Sequence, residues 1–344
     1  MSNNTTSNKK QVFSGMQPTG NLHLGRYFGA IQNWVNLQDQ YRCIYCVVDY
    51  HAMTMPFEPK DLRQRVWNLV FDALAVGVKP ENLFIQSMVP EHTELAWIFN
   101  CISSYGEVSR MTQFKDKSQQ VNAKTKDAFI STGLFAYPVL QAADILIYKA
   151  DFVPVGNDQD QHLELTRNIA QRFNQIVGEE YFVLPETLYT NFPKVLSTAD
   201  PSKKMSASLG PKHNISVFSE PDVIRKQIKS AVTDSGDTPP GQISQGVENL
   251  FSIMKASGGH SDLDTFREQA LAGTLQYGKL KEAVADVVIE MTEPFRRKRL
   301  EILENKGNYE EQIAASSGVI RKTATKTLHE VKDLVGLMNV YSQF

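Results

Sequence analysis

The chain has 344 residues, of which 36 are basic and 38 acidic, so its formal net charge is −2. This length suits about two domains, each large enough to bury a core. The near-neutral balance argues against a protein that coats nucleic acid through bulk positive charge, so any RNA contact must come from local patches. No run of about 18 apolar residues occurs, and no membrane-spanning segment is predicted.

The first eleven residues are polar and are predicted to form a disordered tail. They lack the apolar core of a signal peptide. The chain has three cysteines, and so few thiols favour a reducing compartment, so a cytoplasmic location is expected. Cys43 and Cys46 form a C-x-x-C pattern, but they lie in an apolar run typical of a buried strand. No second pair completes a zinc site, so no metal is expected there.

Strand and helix signals alternate through the first 200 or so residues. Apolar runs predict strands at residues 12–15, 43–48, 83–85 and 151–155. Between and after them, apolar residues recur at helical spacing over residues 24–35, 62–74, 95–99 and 165–176. Strands separated by helices of this length favour an α/β domain with a parallel sheet, whose ligands bind at the carboxyl ends of the strands.

Two segments depart from this alternation. Residues 104–133 are polar and rich in lysine and arginine, and they are predicted to be an insertion in the α/β domain. After Pro211 the strand signals end and helical patterns dominate. We therefore predict a catalytic-type α/β domain over residues 12–211 and a mostly α-helical domain over residues 212–344.

A glycine-rich turn follows the first predicted strand, and a helix is predicted to begin near His23. Helix N-termini present free backbone N–H groups and partial positive charge, which suits a phosphate. Gly15, Gly20 and Gly25 leave room for a nucleotide to approach the backbone. His23 could donate a hydrogen bond to a phosphate oxygen. The alternative is an ordinary strand-to-helix turn with an exposed histidine.

A second polar loop, residues 202–208, follows the last strand signal. Lysines on such a loop can reach the β- and γ-phosphates of ATP and stabilise the charge that develops as pyrophosphate leaves. The alternative is a solvated linker between domains. Its position, at the end of the α/β domain and before the helical one, favours the nucleotide interpretation.

Residues 18–26 (PTGNLHLGR) and 204–208 (KMSAS) resemble the first and second signatures of the class I aminoacyl-tRNA synthetases. Further stretches resemble the tryptophan-specific, bacterial-type members of that family, at residues 13–20, 48–52, 110–117, 137–146, 153–162 and 230–234. The most specific is 153–162 (VPVGNDQDQH), and the resemblance extends from residue 12 to about 340. It implies a Rossmann-like catalytic domain followed by a helical anticodon-binding domain.

The resemblance also implies roles for individual residues. Those expected to bind ATP are Gln17, Pro18, Thr19, His23, Gly25, Arg26, Gly156, Asn157, Asp158, Val195, Lys204, Met205, Ser206, Ala207 and Ser208. Those expected around tryptophan are Phe13, His51, Tyr137, Gln141 and Asp144. Catalytic contributions are expected from Lys204, Ser206, Lys117 and Gln159.

The implied reaction is the ATP-dependent activation of L-tryptophan to tryptophanyl-adenylate, followed by transfer to tRNA(Trp) with release of AMP. Mg²⁺ would arrive with ATP, and a homodimer is expected. Asp144 also makes chemical sense by itself, because indole offers one polar group, the ring N–H, and a carboxylate facing an apolar slot could accept it. The alternative is a carboxylate on the surface of a helix.

Three positions depart from the family pattern. Arg26 replaces a usual His or Asn, Ala207 replaces a usual Lys, and Gln141 stands where many bacterial relatives have Met. We hypothesise that Arg26 supplies the charge that Ala207 lacks. Two other functions stay open: a tyrosine-specific enzyme, against which residues 153–162 argue, and a paralogue that binds or regulates without charging tRNA.

Overall fold

The computed structural model describes residues 9–112, 130–155, 160–189, 195–234, 236, 238–239 and 241–339. In this part of the chain the strands are β1 (Gln11–Met16), β2 (Arg42–Val47), β3 (Leu83–Ile85), β4 (Phe152–Val155) and β5 (Glu186–Tyr189). They form one sheet in the order β3-β2-β1-β4-β5, and every pairing is parallel. The predicted α/β class with a parallel sheet is confirmed.

Strand β2 lies between β3 and β1 and is buried on both faces. Cys43 and Tyr45 belong to one hydrophobic cluster, whereas Ile44 and Cys46 belong to the cluster on the other side of the sheet. Because side chains alternate along a strand, the two cysteines point to opposite faces and cannot bind one metal together. Burial raises the pKa of both thiols. The interpretation of this C-x-x-C as part of a buried strand is confirmed.

The helices of the first half connect and cover the strands. They are α1 (Leu24–Arg26), α2 (Gln32–Leu37), α3 (Asp49–Ala52), α4 (Pro59–Ala75), α5 (Glu91–Ile102), α6 (Tyr105–Ser109), α7 (Thr132–Leu146) and α8 (Asp160–Val177). A π-helical turn at Tyr27–Ile31 joins α1 to α2, so the chain stays helical from Leu24 to Leu37. Helix α4 begins with proline at its first position, which has no N–H to satisfy.

The second half of the described chain is mostly helical, as predicted. Its helices are α9 (Pro221–Lys229), α10 (Gln245–Ala256), α11 (Leu263–Leu271), α12 (Tyr277–Glu304) and α13 (Lys306–Leu334). One hydrophobic cluster contains Trp34 from the first half and Val288 from α12, so side chains from both halves share a core. The domain boundary near residue 212 stays a prediction. Among the described helices, none combines the length and apolarity that crossing a membrane requires.

Two local predictions need correction. Residues 9–11 were assigned to the disordered tail, but Gln11 begins β1, because its N–H and the Lys10 ammonium both bond the Asp151 carboxylate at 2.7 Å. The fifth strand, Glu186–Tyr189, was not predicted. It is short and only partly buried, so it lacks a continuous apolar run, and pairing with β4 defines it.

Candidate active site

The predicted site residues gather where the parallel strands end. Gln17 follows β1 and His51 lies just after β2, and Gln86, which was not predicted, follows β3 directly. This edge is where ligands bind in open α/β sheets. Four of the predicted residues, at 156–159, follow β4 and lie outside the described residues, as does Lys117. Those five assignments stay predictions.

The turn of the first signature is held by its own side chains. His23 caps helix α1, its Nδ1 accepting the backbone N–H of Arg26 at 3.2 Å. The Arg26 guanidinium donates to the carbonyl oxygens of Gln17 and Thr19. Gly20 has φ of +61°, a conformation that glycine adopts without strain. Arg26 therefore fixes the loop between β1 and α1 from its carboxyl-terminal side.

His23 is neutral at physiological pH. Burial, together with the charges of Arg26 and Lys204, lowers its pKa to about 4. Since Nδ1 accepts a hydrogen bond, the proton of the neutral ring is on Nε2, which is the atom left to donate. The predicted donation from His23 to a phosphate oxygen is compatible with this tautomer.

The two signatures touch each other. The Met205 sulfur lies 3.4 Å from the backbone nitrogen of Gly25, and Met205 is 2% exposed. A Cβ added to Gly25 would lie 3.0 Å from the Met205 Cβ, and one added to Gly20 would lie 3.0 Å from the Ala207 Cβ. Glycine is required at both positions for this approach of two backbones. The tertiary structure thus brings together two motifs that are far apart in the sequence.

The second signature is an ordered turn. The backbone N–H of Met205 donates to the carbonyl of Val195 at 3.3 Å. The Ser206 hydroxyl accepts the N–H of Ser208 at 3.3 Å and lies 2.9 Å from the Ser208 hydroxyl. Lys204 is exposed, and its charge acts on His23. The loop therefore anchors an apolar methionine inside and presents a lysine outside, next to the first signature.

The chain beyond the second signature is bonded to the first one. The N–H of Leu24 donates to the Ile215 carbonyl at 2.8 Å, and that of Val217 donates to the Leu22 carbonyl at 3.1 Å. These bonds form a short antiparallel contact around His23 and Ser216. Because of it, the segment leading into the helical half is part of the support of the predicted ATP site.

Asp144, on helix α7, lies at the centre of a second, buried cluster and is 1% exposed. Its Oδ2 accepts from His51 Nε2 at 2.7 Å, and its Oδ1 accepts from His92 Nδ1 at 2.6 Å and from Gln86 Nε2 at 2.8 Å. The other nitrogen of His92 lies 2.7 Å from the Tyr148 hydroxyl. Three donors thus converge on one carboxylate.

These donors decide the charge of Asp144. Burial alone would raise its pKa, but the hydrogen bonds and charges of His51 and His92 lower the pKa to about 2. Asp144 is therefore an anion throughout the physiological range. The predicted apolar slot is corrected here: the carboxylate lies in a polar network, because a buried charge without such partners would be far too costly.

The other residues expected around tryptophan surround this cluster. On helix α7, Tyr137 lies four residues before Gln141, and Gln141 lies three residues before Asp144, which places the three on one face of the helix. The Tyr137 hydroxyl lies 2.9 Å from His162 Nε2, and its ring meets His51 edge-on at 6.3 Å. Phe13 from β1 stacks on Tyr148, which lies in the turn between α7 and β4, with ring centroids 5.7 Å apart. The structure therefore brings these predicted residues together.

Sequence reasoning missed three members of the cluster: Gln86, His92 and Tyr148. Gln86 had a usable signal, because it is a polar residue directly after a fully buried strand, at the ligand-binding edge. Its own amide oxygen accepts the N–H of Tyr50 at 3.1 Å, which orients the amide nitrogen toward Asp144. His92 and Tyr148 had no such signal, since they are near Asp144 only through packing.

The fold and this arrangement belong to a known class. Residues 5–293 match the family described as tRNA synthetases class I (W and Y), and the chain is a member of it.

Tryptophan–tRNA ligases are among the members of that family that are similar to this chain. The chain is 45% identical over 335 residues to the tryptophan–tRNA ligase of Clostridium acetobutylicum, covering 96% of this chain and 98% of the relative. The tryptophan–tRNA ligase of Wolinella succinogenes is 46% identical over 337 residues, covering 96% and 99%.

A crystal structure of Campylobacter jejuni tryptophanyl-tRNA synthetase, complexed with ADP and tryptophan, superposes with a TM-score of 0.82 at 33% identity and covers 95% of this chain and 100% of that one. The tyrosyl-tRNA synthetase of Archaeoglobus fulgidus has a TM-score of 0.64 at 20% identity, covering 86% and 91%, and shares the fold.

Proposed function

We propose that this chain is a tryptophan–tRNA ligase, which activates L-tryptophan with ATP and transfers it to tRNA(Trp). The observation that carries the proposal is the contact between the two signatures, Gly25 against Met205, at the same sheet edge as the buried Asp144 carboxylate. A nucleotide site and an amino-acid site are then adjacent, as adenylate formation requires. The tryptophan–tRNA ligases that match nearly the whole chain support the choice of amino acid.

ATP is held by the first signature and covered by the second. The neutral His23 donates from Nε2 to a phosphate oxygen, and Lys204 neutralises charge on the leaving pyrophosphate. The close approach at Gly20 and Gly25 lets the two loops enclose the triphosphate. The ADP complex of the Campylobacter jejuni protein supports ATP as the nucleotide.

The chemistry needs no covalent enzyme intermediate. A tryptophan carboxylate oxygen attacks the α-phosphorus, and the bond to the bridging oxygen breaks as pyrophosphate leaves with the electron pair. The terminal ribose hydroxyl of the tRNA then attacks the carbonyl carbon and loses its proton, and AMP leaves. The protein accelerates both steps by positioning the reactants and stabilising charge.

Asp144 recognises the indole ring. A carboxylate has about four lone-pair sites. Two donors, His92 and Gln86, occupy Oδ1, whereas among the described residues Oδ2 accepts only from His51 and keeps one site for the indole N–H. A substrate without this N–H leaves the buried Asp144 carboxylate with one hydrogen-bond donor fewer, so the site discriminates against such a substrate.

The wider setting of the reaction is also part of this proposal. Mg²⁺ arrives with ATP, bound to its phosphates. The helical region reads the anticodon, with exposed cations such as Lys322 and Lys326 on α13 available for phosphates. The enzyme is a cytoplasmic homodimer, and the exposed Trp97 and Tyr105 on the neighbouring helices α5 and α6 support an interface there.

ATP–pyrophosphate exchange with each of the twenty amino acids tests the proposal. We expect exchange with tryptophan and none with tyrosine, followed by charging of tRNA(Trp) transcript. Exchange with tyrosine instead would identify the tyrosine-specific alternative. Absence of exchange with every amino acid, in a protein that still binds ATP, would identify a paralogue without charging activity.

A further inference from the structure

A buried ion pair links the two halves of the chain behind the ATP site. Asp72, on α4, is 5% exposed, and its Oδ1 lies 2.7 Å from Arg299 Nε on α12. The Arg299 guanidinium also lies over the Phe218 ring, 5.0 Å from its centroid. Buried ion pairs often contribute less to stability than well-packed apolar side chains would. Stability alone is therefore a weak reason for a charge at this position.

The same carboxylate faces the first signature. The backbone N–H of Leu22, directly before His23, lies against Asp72 and stabilises its charge. The charges of Asp72 and Arg26 also attract each other. Asp72 thus pairs with a side chain of α12 and, on its other side, attracts the signature turn and the charge of Arg26 without forming an ion pair with it.

Arg26 is hydrogen-bonded to residues that are expected to bind ATP. Its guanidinium donates to the carbonyls of Gln17 and Thr19, and its own backbone N–H is the donor that orients the His23 ring. A change in the position of Arg26 would therefore move both the turn and the histidine. The segment beyond the second signature completes the connection, because Phe218 lies directly after Val217, which bonds to Leu22.

We infer that Asp72 and Arg299 are positioning residues, through which helix α12 holds Arg26 and the first signature in the geometry that binds ATP. Neither side chain touches the substrate in this account. The helical region then contributes to adenylate formation as well as to tRNA recognition. The inference rests on the proposed function for the identity of the nucleotide.

A competing view is that Asp72 only neutralises Arg26. The two views predict opposite signs for Asp72→Asn, which keeps the shape of the side chain and removes its charge. Neutralisation predicts tighter ATP binding, because the charge of Arg26 is freed. Positioning predicts weaker ATP binding, because the support of Arg26 and the bond to Arg299 are lost.

The test is calorimetric titration of ATP into the full-length protein without amino acid. We expect Asp72→Asn and Arg299→Met each to weaken ATP binding about tenfold, with an effect in the double variant smaller than the product of the two. Arg299→Lys should weaken ATP binding less than Arg299→Met does, because a lysine retains a positive charge for Asp72 although it loses the stacking on Phe218. The affinity for tryptophan should stay within about twofold of the wild-type value in every variant. Asp144 lies on the other side of the sheet, among residues of the second hydrophobic cluster, and substitutions at distant sites have independent effects.

Asp286→Asn is the matched control. It removes another ion pair of α12, with Arg225 at 2.7 Å, that is exposed and far from the signatures in the chain. Its ATP affinity should equal that of the wild type within about twofold. Unchanged ATP binding in folded Asp72→Asn and Arg299→Met, or tighter binding in Asp72→Asn, would overturn the inference. If Arg299→Met does not fold, the ATP affinities of Asp72→Asn and Arg299→Lys test the inference. Because the titration needs no amino-acid activation, a failed exchange assay would remove the proposed function without deciding this result.

Discussion

At the scale of single residues, the site depends on charges whose partners fix their protonation. Asp144 stays ionised at 1% exposure because three donors converge on it, and its pKa is about 2. His23 stays neutral because burial and two nearby cations lower its pKa to about 4. One buried group is thus an anion, and the other is a neutral imidazole whose Nε2 is left to donate.

Asp144→Asn should raise the KM for tryptophan roughly 10- to 100-fold, because a hydrogen bond to a charged group is worth about 1.5–3 kcal/mol. The KM for ATP should change by less than about twofold, since the nucleotide contacts are separate. Pyrophosphate exchange with each substrate varied in turn measures both. Glu91→Gln is the control: Glu91 is also buried and bonded, to Arg321 and Thr325, and its loss should affect stability rather than the KM for tryptophan. Normal tryptophan kinetics in folded Asp144→Asn would contradict the assignment.

Arg26 and Ala207 flank the same turn. The Arg26 guanidinium donates to the Thr19 carbonyl. Gly20, which follows Thr19, lies so close to Ala207 that a Cβ added to it would be 3.0 Å from the Ala207 Cβ. This proximity suits the hypothesis that Arg26 supplies the charge that a lysine at position 207 would supply.

We therefore expect Arg26→Asn to slow adenylate formation, by about 10²–10³ if one preorganised donor is lost, and Ala207→Lys to restore much of the rate in the double variant. Single-turnover adenylate formation in the two single variants and the double variant gives the coupling. Lys203→Met is a control with little expected effect, because Lys203 already pairs with Asp200 at 2.8 Å. Strictly additive rate changes would show that Arg26 and the second signature act independently.

At the scale of elements, the first signature is a helix start whose backbone must approach another loop. Helix α1 has three residues, and a π-helical turn follows it before α2 continues. Met205 of the second signature reaches the amide of Gly25 at this start. The residue type at position 25 is therefore dictated by the neighbouring loop rather than by helix propensity.

Gly25→Ala tests this contact. The new Cβ would lie 3.0 Å from the Met205 Cβ and 3.3 Å from His23 Nδ1, so one loop must move. A displacement of about 1 Å can cost about 100-fold in rate, and we expect a loss of roughly tenfold or more in adenylate formation. Gly29→Ala, one turn further along the same helical run, is the control, because a Cβ there meets nothing within 4 Å. Equal rates in the two variants would remove the proposed role of the contact.

At the scale of the whole molecule, the two halves are joined by more than a linker. Helix α12 packs on α4, the segment after the second signature pairs with Leu22 and Leu24, and Arg299 bonds Asp72. Among the described residues, the two most exposed aromatic side chains lie on α5 and α6: Trp97 is 70% exposed and Tyr105 is 77% exposed. Exposed aromatics are enriched at protein interfaces, which is consistent with the proposed dimer.

Trp97→Glu should shift the protein from dimer to monomer, because a charge at the centre of an interface must be desolvated without a partner. Sedimentation velocity at micromolar concentration measures the change. Val319→Glu, which replaces a 64% exposed apolar residue on α13, should leave the oligomeric state unchanged. A dimer that persists in Trp97→Glu would place the interface on another surface.

Much of the fold was predictable because it depends on local patterns. Continuous apolar runs predicted β1 to β4, and the order of strands and helices predicted a parallel sheet with its site at the carboxyl edge. The short strand Glu186–Tyr189 was not predicted because its pattern is half polar. The order of Lys10 and Gln11 was not predicted because their partner, Asp151, is distant in the sequence.

Local sequence was enough to identify the family, the two signatures and the likeness that points to Asp144, since each is carried by residues that are adjacent in the chain. The side chains that surround Asp144 and the helix that supports the signature turn could be identified only after folding had brought distant residues together. His92, Gln86 and Arg299 reach their partners across 52, 58 and 227 residues. No local pattern encodes such pairs, because packing of separate elements brings them together, and burial then makes each hydrogen bond necessary.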